Sequence, residues 1–455
     1  MYAAHRSAAQ LPLRTGCRLF PVQAVLWLAV ALLNSALLNS ALLTSALLTS
    51  AVQAGTLPAV NVRTVPAEPG AAAIAFLEAK VRSDPDDVIA LNGLTTRYLD
   101  RLRQGGDDRD LVLAKQRAEQ SLLALPAAMN IAGLVGQVRV DQAGHRFERA
   151  RAAAQQLIQL TPAKSYPYFL LGDAALELGR YDEAEAAFAT ARRIEGKSPD
   201  TESRAARLAL IRGQTAAARR HLSDALDIAR RMTLPVPDLI AWCSVQLGQF
   251  RFGRGEWQAA ESLYQAALDA VPDNLPALEH LAELRGAQGK TEIAAGLYRQ
   301  VIERSRRPEF RQALGDLYTF AGRPADAAPW YDQALAGYLA SVHDGHVHYF
   351  HHLAGFFSDS RPDSAQALHW AQQDMQLRAG VYALDGLAWA QYQAGQFAAA
   401  RTTIDKALAT GIDDAHLLYH ASMIHSLAGD VPGGAALLRR AVTANPRYNA
   451  FHAHR

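Results

Sequence analysis

A glycine returns along this chain on a nearly fixed beat. Gly179, Gly213, Gly255, Gly289, Gly322, Gly395 and Gly429 each separate two helix-like blocks. The steps from 179 to 213, 255 to 289 and 395 to 429 are 34 residues each. A period of that length with a glycine in mid-repeat predicts helical hairpins stacked on one another. One unit shows the spacing: Tyr168, Leu171, Gly172, Gly179, Tyr181, Ala184, Phe188 and Ala191. Apolar residues at steps of three and four give each of two short helices one buried stripe. Gly172, Ala184 and Ala191 are small where two helix axes would approach closely. Gly179 supplies the turn at low conformational cost.

Further blocks keep this layout. One holds Leu247, Gly248, Gly255, Trp257, Ala260 and Tyr264; another holds Leu314, Gly315, Gly322, Ala327 and Tyr331. Weaker copies lie around Gly213, around Gly144 to Pro162 and around Leu91 to Pro126. In the 347–380 stretch, Arg361-Pro362 stands where the turn glycine is expected. These residues resemble the tetratricopeptide repeat family over roughly residues 87–448. The resemblance implies an all-α solenoid, a right-handed superhelix of about nine or ten hairpins with a concave face that binds partner segments. Read from the residues, each unit has an apolar face too small to fold alone, so neighbours bury it and the array is expected to form an elongated rod.

The expected organisation is a signal peptide or membrane anchor at 1–54 and a linker with a leading segment at 55–86. Degenerate hairpins follow at 87–164, then the main array at 165–448 and a tail at 449–455. Arg6, Arg14 and Arg18 precede the apolar run at 24–33, and Val52-Gln53-Ala54 offers small residues for signal peptidase. The other reading is an uncleaved anchor, since 24–51 as a helix would reach about 42 Å. Either reading places the repeats at the bacterial envelope: periplasmic or secreted in the first, tethered to the inner membrane and facing the periplasm in the second. A membrane contact is expected only if the N-terminal segment is retained.

The chain carries 46 Lys and Arg against 44 Asp and Glu. Removing the three arginines of the first 54 residues leaves 43 bases, a balance that argues against electrostatic nucleic-acid binding. Of the two cysteines, Cys17 lies in the leading segment, so cleavage leaves Cys243 without a disulfide partner. Cys243 reads as a small packing residue, with a reactive thiol as the alternative. No phosphate loop, nucleophile elbow, H-E-x-x-H or C-x-x-C occurs, and the chain is expected to be non-enzymatic.

By the family's register, the partner-binding groove would be lined by Tyr166, Phe169, Trp242, Phe252, Tyr382, Trp389, Tyr392 and Tyr419. Aromatic side chains there give large contact area at small entropic cost; the alternative is packing against the next hairpin. Glu279, Glu283, Asp316 and Asp385 occupy other groove positions and would favour a basic or neutral ligand. The partner is expected to be a protein segment, with the chain acting as an interaction scaffold. A second reading is a metal-handling accessory protein. It rests on the histidine run at 343–352, where His348, His351 and His352 could share one divalent ion on a helix face. No other cofactor is expected.

Overall fold

The computed structural model describes residues 70–453. The leader or anchor at 1–54, the start of the linker, Cys17 and the last two residues lie outside them. A leading helix, α1 (Ala71–Ser83), is followed by ten hairpins. Hairpins one to three are α2/α3 (Val88–Arg103, Asp108–Ala124), α4/α5 (Ile131–Ala143, Phe147–Leu160) and α6/α7 (Tyr166–Glu177, Tyr181–Glu195). Hairpins four to six are α8/α9 (Pro199–Ile211, Thr215–Arg231), α10/α11 (Pro237–Gly253, Trp257–Ala270) and α12/α13 (Leu275–Ala287, Thr291–Arg304). The seventh is α14/α15 (Pro308–Phe320, Pro324–His343). In the eighth, α16 (Phe350–Gly355) runs into a wide π-helical segment, Phe356–Ser360, before α17 (Ser364–Leu377). The last two are α18/α19 (Val381–Gln393, Phe397–Leu408) and α20/α21 (Ala415–Leu427, Val431–Ala444). The described residues contain no β-strand, and no helix among them is long and apolar enough to cross a membrane.

The repeat's small and aromatic positions pair across each hairpin. A Cβ added to Gly315 would stand 2.5 Å from the Tyr331 ring, and one on Gly172 or Gly248 would overlap the rings of Phe188 or Tyr264. One helix therefore gives up a side chain so that its partner's aromatic can be buried against its backbone. The turn glycines take left-handed conformations, with φ of 71° at Gly179 and 75° at Gly289. Side chains cap several first helices: Asn130, Asn274 and Asp414 accept from backbone N–H groups of the first turn.

The array is not the extended rod expected from the repeat pattern. It coils until its later turn meets its earlier one, along a seam between hairpin turns and the loops one superhelical turn away. Asp107 pairs with Arg306 at 3.2 Å, and Asp108 meets His348 at 3.1 Å. The Glu177 carbonyl accepts from the N–H groups of Ala379 and Gly380 at 3.1 and 3.0 Å. Arg254 donates to the carboxylate of Asp413 at 2.9 Å and to its carbonyl at 3.1 Å. One apolar cluster joins Phe169, Leu176 and Ile211 of hairpins three and four to Val381, Ile412 and Leu417. Nearest-neighbour spacing specifies the hairpin and its stacking. The closing contacts lie about two hundred residues apart and leave no periodic trace.

Candidate functional site

The inner surface of the coil is built by the first helices of successive hairpins. Here α10 presents Phe252, α12 presents Glu283 and Gly286, and α14 presents Leu317 and Phe320. The chain's own end lies across this surface. After α21, the Arg447 guanidinium sits 4.0 Å from the centre of the Trp257 ring. Tyr448 packs on Tyr419 with ring centres 5.7 Å apart. Phe451 is buried against Leu317 and the bare backbone of Gly286, with Phe320 at 5.6 Å. His452 meets the Phe252 ring edge-on at 5.1 Å, and its imidazole pairs with Glu283. The Ala453 N–H donates to that same carboxylate at 2.7 Å. A buried carboxylate thus meets one imidazole and receives one main-chain N–H from an extended segment, and the N–H bond to it is charge-assisted.

Beneath this segment is a cavity of about 110 Å³, lined by Gln246, Gln249, His280, Tyr382, Asp414 and His416 among others, with Tyr448 and His452 on its rim. Burial pushes the Asp414 carboxyl up from its ordinary range. The N–H groups of Leu417 and His416 oppose that shift, while Asp385 adds to it. Burial likewise holds the Tyr382 hydroxyl well above the usual tyrosine value.

The eight aromatics expected in the groove divide into three sets. Phe252 and Tyr419 touch the C-terminal segment, and Tyr382 borders the cavity. Tyr166 and Trp242 are partly buried at the edges of neighbouring apolar clusters. Phe169, Trp389 and Tyr392 are buried in the cluster that joins the two turns. Trp389 lies between His420 and Tyr392, stacked at 4.0 and 4.7 Å, and its Nε1 donates to Asp359 at 3.1 Å. In this coiled form it is 1% exposed, so its surface is spent on packing rather than offered to a partner.

Among the described residues, the three histidines expected to share an ion do not form one ligand group, although the rings of His351 and His352 lie 4.1 Å apart. His348 faces Asp108 across the seam. His352 stacks on the Tyr338 ring at 5.6 Å. His351 stacks on His145 at 5.4 Å. His145, His351 and Asp374 are the group whose ligand atoms all lie within 4.8 Å of one another, and all three are buried. The histidine run draws attention to 343–352, but His145 enters from hairpin two. Its signal is a local one: His145 stands two residues before Phe147 opens the second helix, the place that glycine holds before Tyr181, Trp257 and Phe397. Gly144 beside it, which reads as the turn glycine in the sequence, has an ordinary negative φ of −88°.

Three stretches of the chain, 135–200, 280–339 and 386–449, match the tetratricopeptide repeat family. A relative, cellulose synthase operon protein C of Pseudomonas fluorescens (strain SBW25), is 26% identical over 203 residues. That match covers 44% of this chain and 16% of the relative, so the chain spans a small part of the relative's length. Among solved structures, the human IFIT1 dimer with PPP-AAAA has a TM-score of 0.44 at 13% identity, covering 82% of this chain and 85% of that one. The Rap conjugation gene regulator of plasmid pLS20 in complex with the Phr* peptide has a TM-score of 0.41 at 13% identity, covering 83% and 94%.

Proposed function

We infer that this chain, which carries tetratricopeptide repeats, is a non-catalytic protein-interaction scaffold whose inner surface takes an extended partner segment. The observation that carries this reading is the C-terminal segment on that surface. It offers an aromatic side chain to the backbone gap at Gly286, an imidazole to Phe252, and both an imidazole and a main-chain N–H to Glu283. A partner segment with an aromatic followed by a basic or donor-rich residue matches the same features. The Glu283 carboxylate favours such a ligand.

The compartment we propose is the bacterial envelope, resting on the three arginines and the apolar run at 24–33. A relative named for a cellulose synthase operon is consistent with a partner in an envelope assembly.

The test uses a labelled peptide spanning residues 445–455 and the full-length chain carrying Phe451→Ala and His452→Ala. Fluorescence anisotropy is expected to show saturable peptide binding by this variant and weaker binding by the unaltered chain, whose own segment competes. Adding Glu283→Gln is expected to weaken it. If the vacated surface of a folded variant binds no peptide, the inner surface is not a segment-binding site.

A further inference from the structure

We propose that His145, His351 and Asp374 form a site for one divalent transition-metal ion of the zinc type, placed where it ties hairpin two to hairpin eight. This does not depend on the scaffold reading. Among the described residues, His145 is the one non-glycine residue with positive φ, at 55°. A side chain held in that region is strained, and such strain gathers at functional positions. A glycine would remove the strain, as it does in the equivalent turns at Gly179, Gly213 and Gly255. Here the strained residue places an imidazole on the seam.

The Nδ1 atoms of His145 and His351 are both enclosed and have no hydrogen-bond partner. An enclosed polar atom without a partner is costly, and an ion held between these two nitrogens would satisfy both. Both rings are buried, and an imidazole binds metal in its neutral form. Two imidazoles and one carboxylate suit zinc, nickel or copper rather than calcium or magnesium, and leave a fourth position for water. Asp374 is held by Arg378, whose Nε is 2.9 Å from each carboxylate oxygen; that contact orients the carboxylate and leaves lone pairs for an ion. Arg378 also leans toward Glu177 at 3.7 Å, which offsets part of its charge. Ligand atoms of a tetrahedral site stand about 3.3 Å apart, so the group closes by side-chain rotation. His348 pairs with Asp108, and His352 stacks on Tyr338 with its ring 4.1 Å from that of His351; neither belongs to the ligand group, and both serve as controls.

The experiment is titration of the metal-free full chain with zinc by calorimetry and with cobalt by visible absorption. One equivalent is expected to bind, with the absorption of a tetrahedral cobalt centre and a raised melting temperature. His351→Ala and His145→Gly should each abolish all three effects, while His352→Ala should leave them intact. His145→Gly guards against simple misfolding, because glycine suits that turn and the metal-free variant should melt no lower than the parent. No uptake by the parent chain, or uptake that persists in either His145→Gly or His351→Ala, overturns the site.

Discussion

Gly179 lies so close to Ala379, one superhelical turn further along, that a Cβ built on it would stand 2.5 Å from the Ala379 carbonyl oxygen. Gly289 has nearly the same backbone conformation, but a Cβ there meets nothing within 4 Å. The pair separates two reasons for a turn glycine. Gly179→Ala and Gly289→Ala should share a backbone penalty of about 1–2 kcal/mol. Gly179→Ala should lose on the order of 1–3 kcal/mol more, through overlap at the seam. Chemical denaturation measures the losses, and small-angle scattering should show a larger radius for the Gly179 variant alone. Equal losses and equal radii would mean that the turns do not close in solution.

That comparison also marks what could be read from the sequence. Gly179 and Gly289 look alike there, because the αL requirement is local and periodic. The Ala379 carbonyl opposite one of them is neither. The all-α class, the hairpin boundaries and the need for a small residue at Gly248 were legible, since each depends on residues within one repeat. The return of the coil, the burial of Trp389 between His420 and Tyr392, and the meeting of His145 with His351 depend on distant hairpins. The tail's place on the inner surface has the same character: Tyr448 and Phe451 read as chain-end residues until Tyr419 and Gly286 are seen beside them.

The helix crossing inside a hairpin can be tested in isolation. A Cβ at Gly248 would overlap the fully buried Tyr264 ring, whereas Gly253, later in the same helix, has open space around it. Gly248→Leu should cost about 1–3 kcal/mol by overpacking. Gly253→Ala should be neutral or stabilise by up to about 1 kcal/mol, because alanine is the better helix former. Thermal melting distinguishes them, and unchanged stability in Gly248→Leu would place the helix contact elsewhere.

Hairpins three and four are joined by a buried ion pair. Arg204 and Asp173 are 1% and 0% exposed along their side chains and lie 2.7 Å apart; the guanidinium also stacks over Phe169 at 4.3 Å. Arg204→Met leaves the Asp173 carboxylate buried without its partner, which typically costs about 3–5 kcal/mol. Adding Asp173→Asn should recover part of that loss, because the uncompensated charge is then gone. A double-mutant cycle in urea measures the coupling, and additive losses would show that the pair contributes no mutual stabilisation.

Alkaline pH tests the burial of the tyrosines that line the hairpin crossings and the seam. Burial pushes the Tyr181 hydroxyl up to about 12, with Glu177 adding to the shift and the Val381 N–H that it accepts opposing it. Burial also holds Tyr264, Tyr298, Tyr338 and Tyr349 well above the ordinary value. An unfolded tyrosine ionises near 10, so above that pH the unfolded chain has lost protons that the folded chain keeps. The unfolded state then binds fewer protons, and stability falls as pH rises from about 10 toward 12. Phenolate absorbance followed alongside helical circular dichroism should show these tyrosines ionising only as the helices melt. Tyr181→Phe should lessen the slope of stability against pH in that window. Reversible ionisation of most tyrosines near pH 10, with the helical signal intact, would mean that the crossings are open to water.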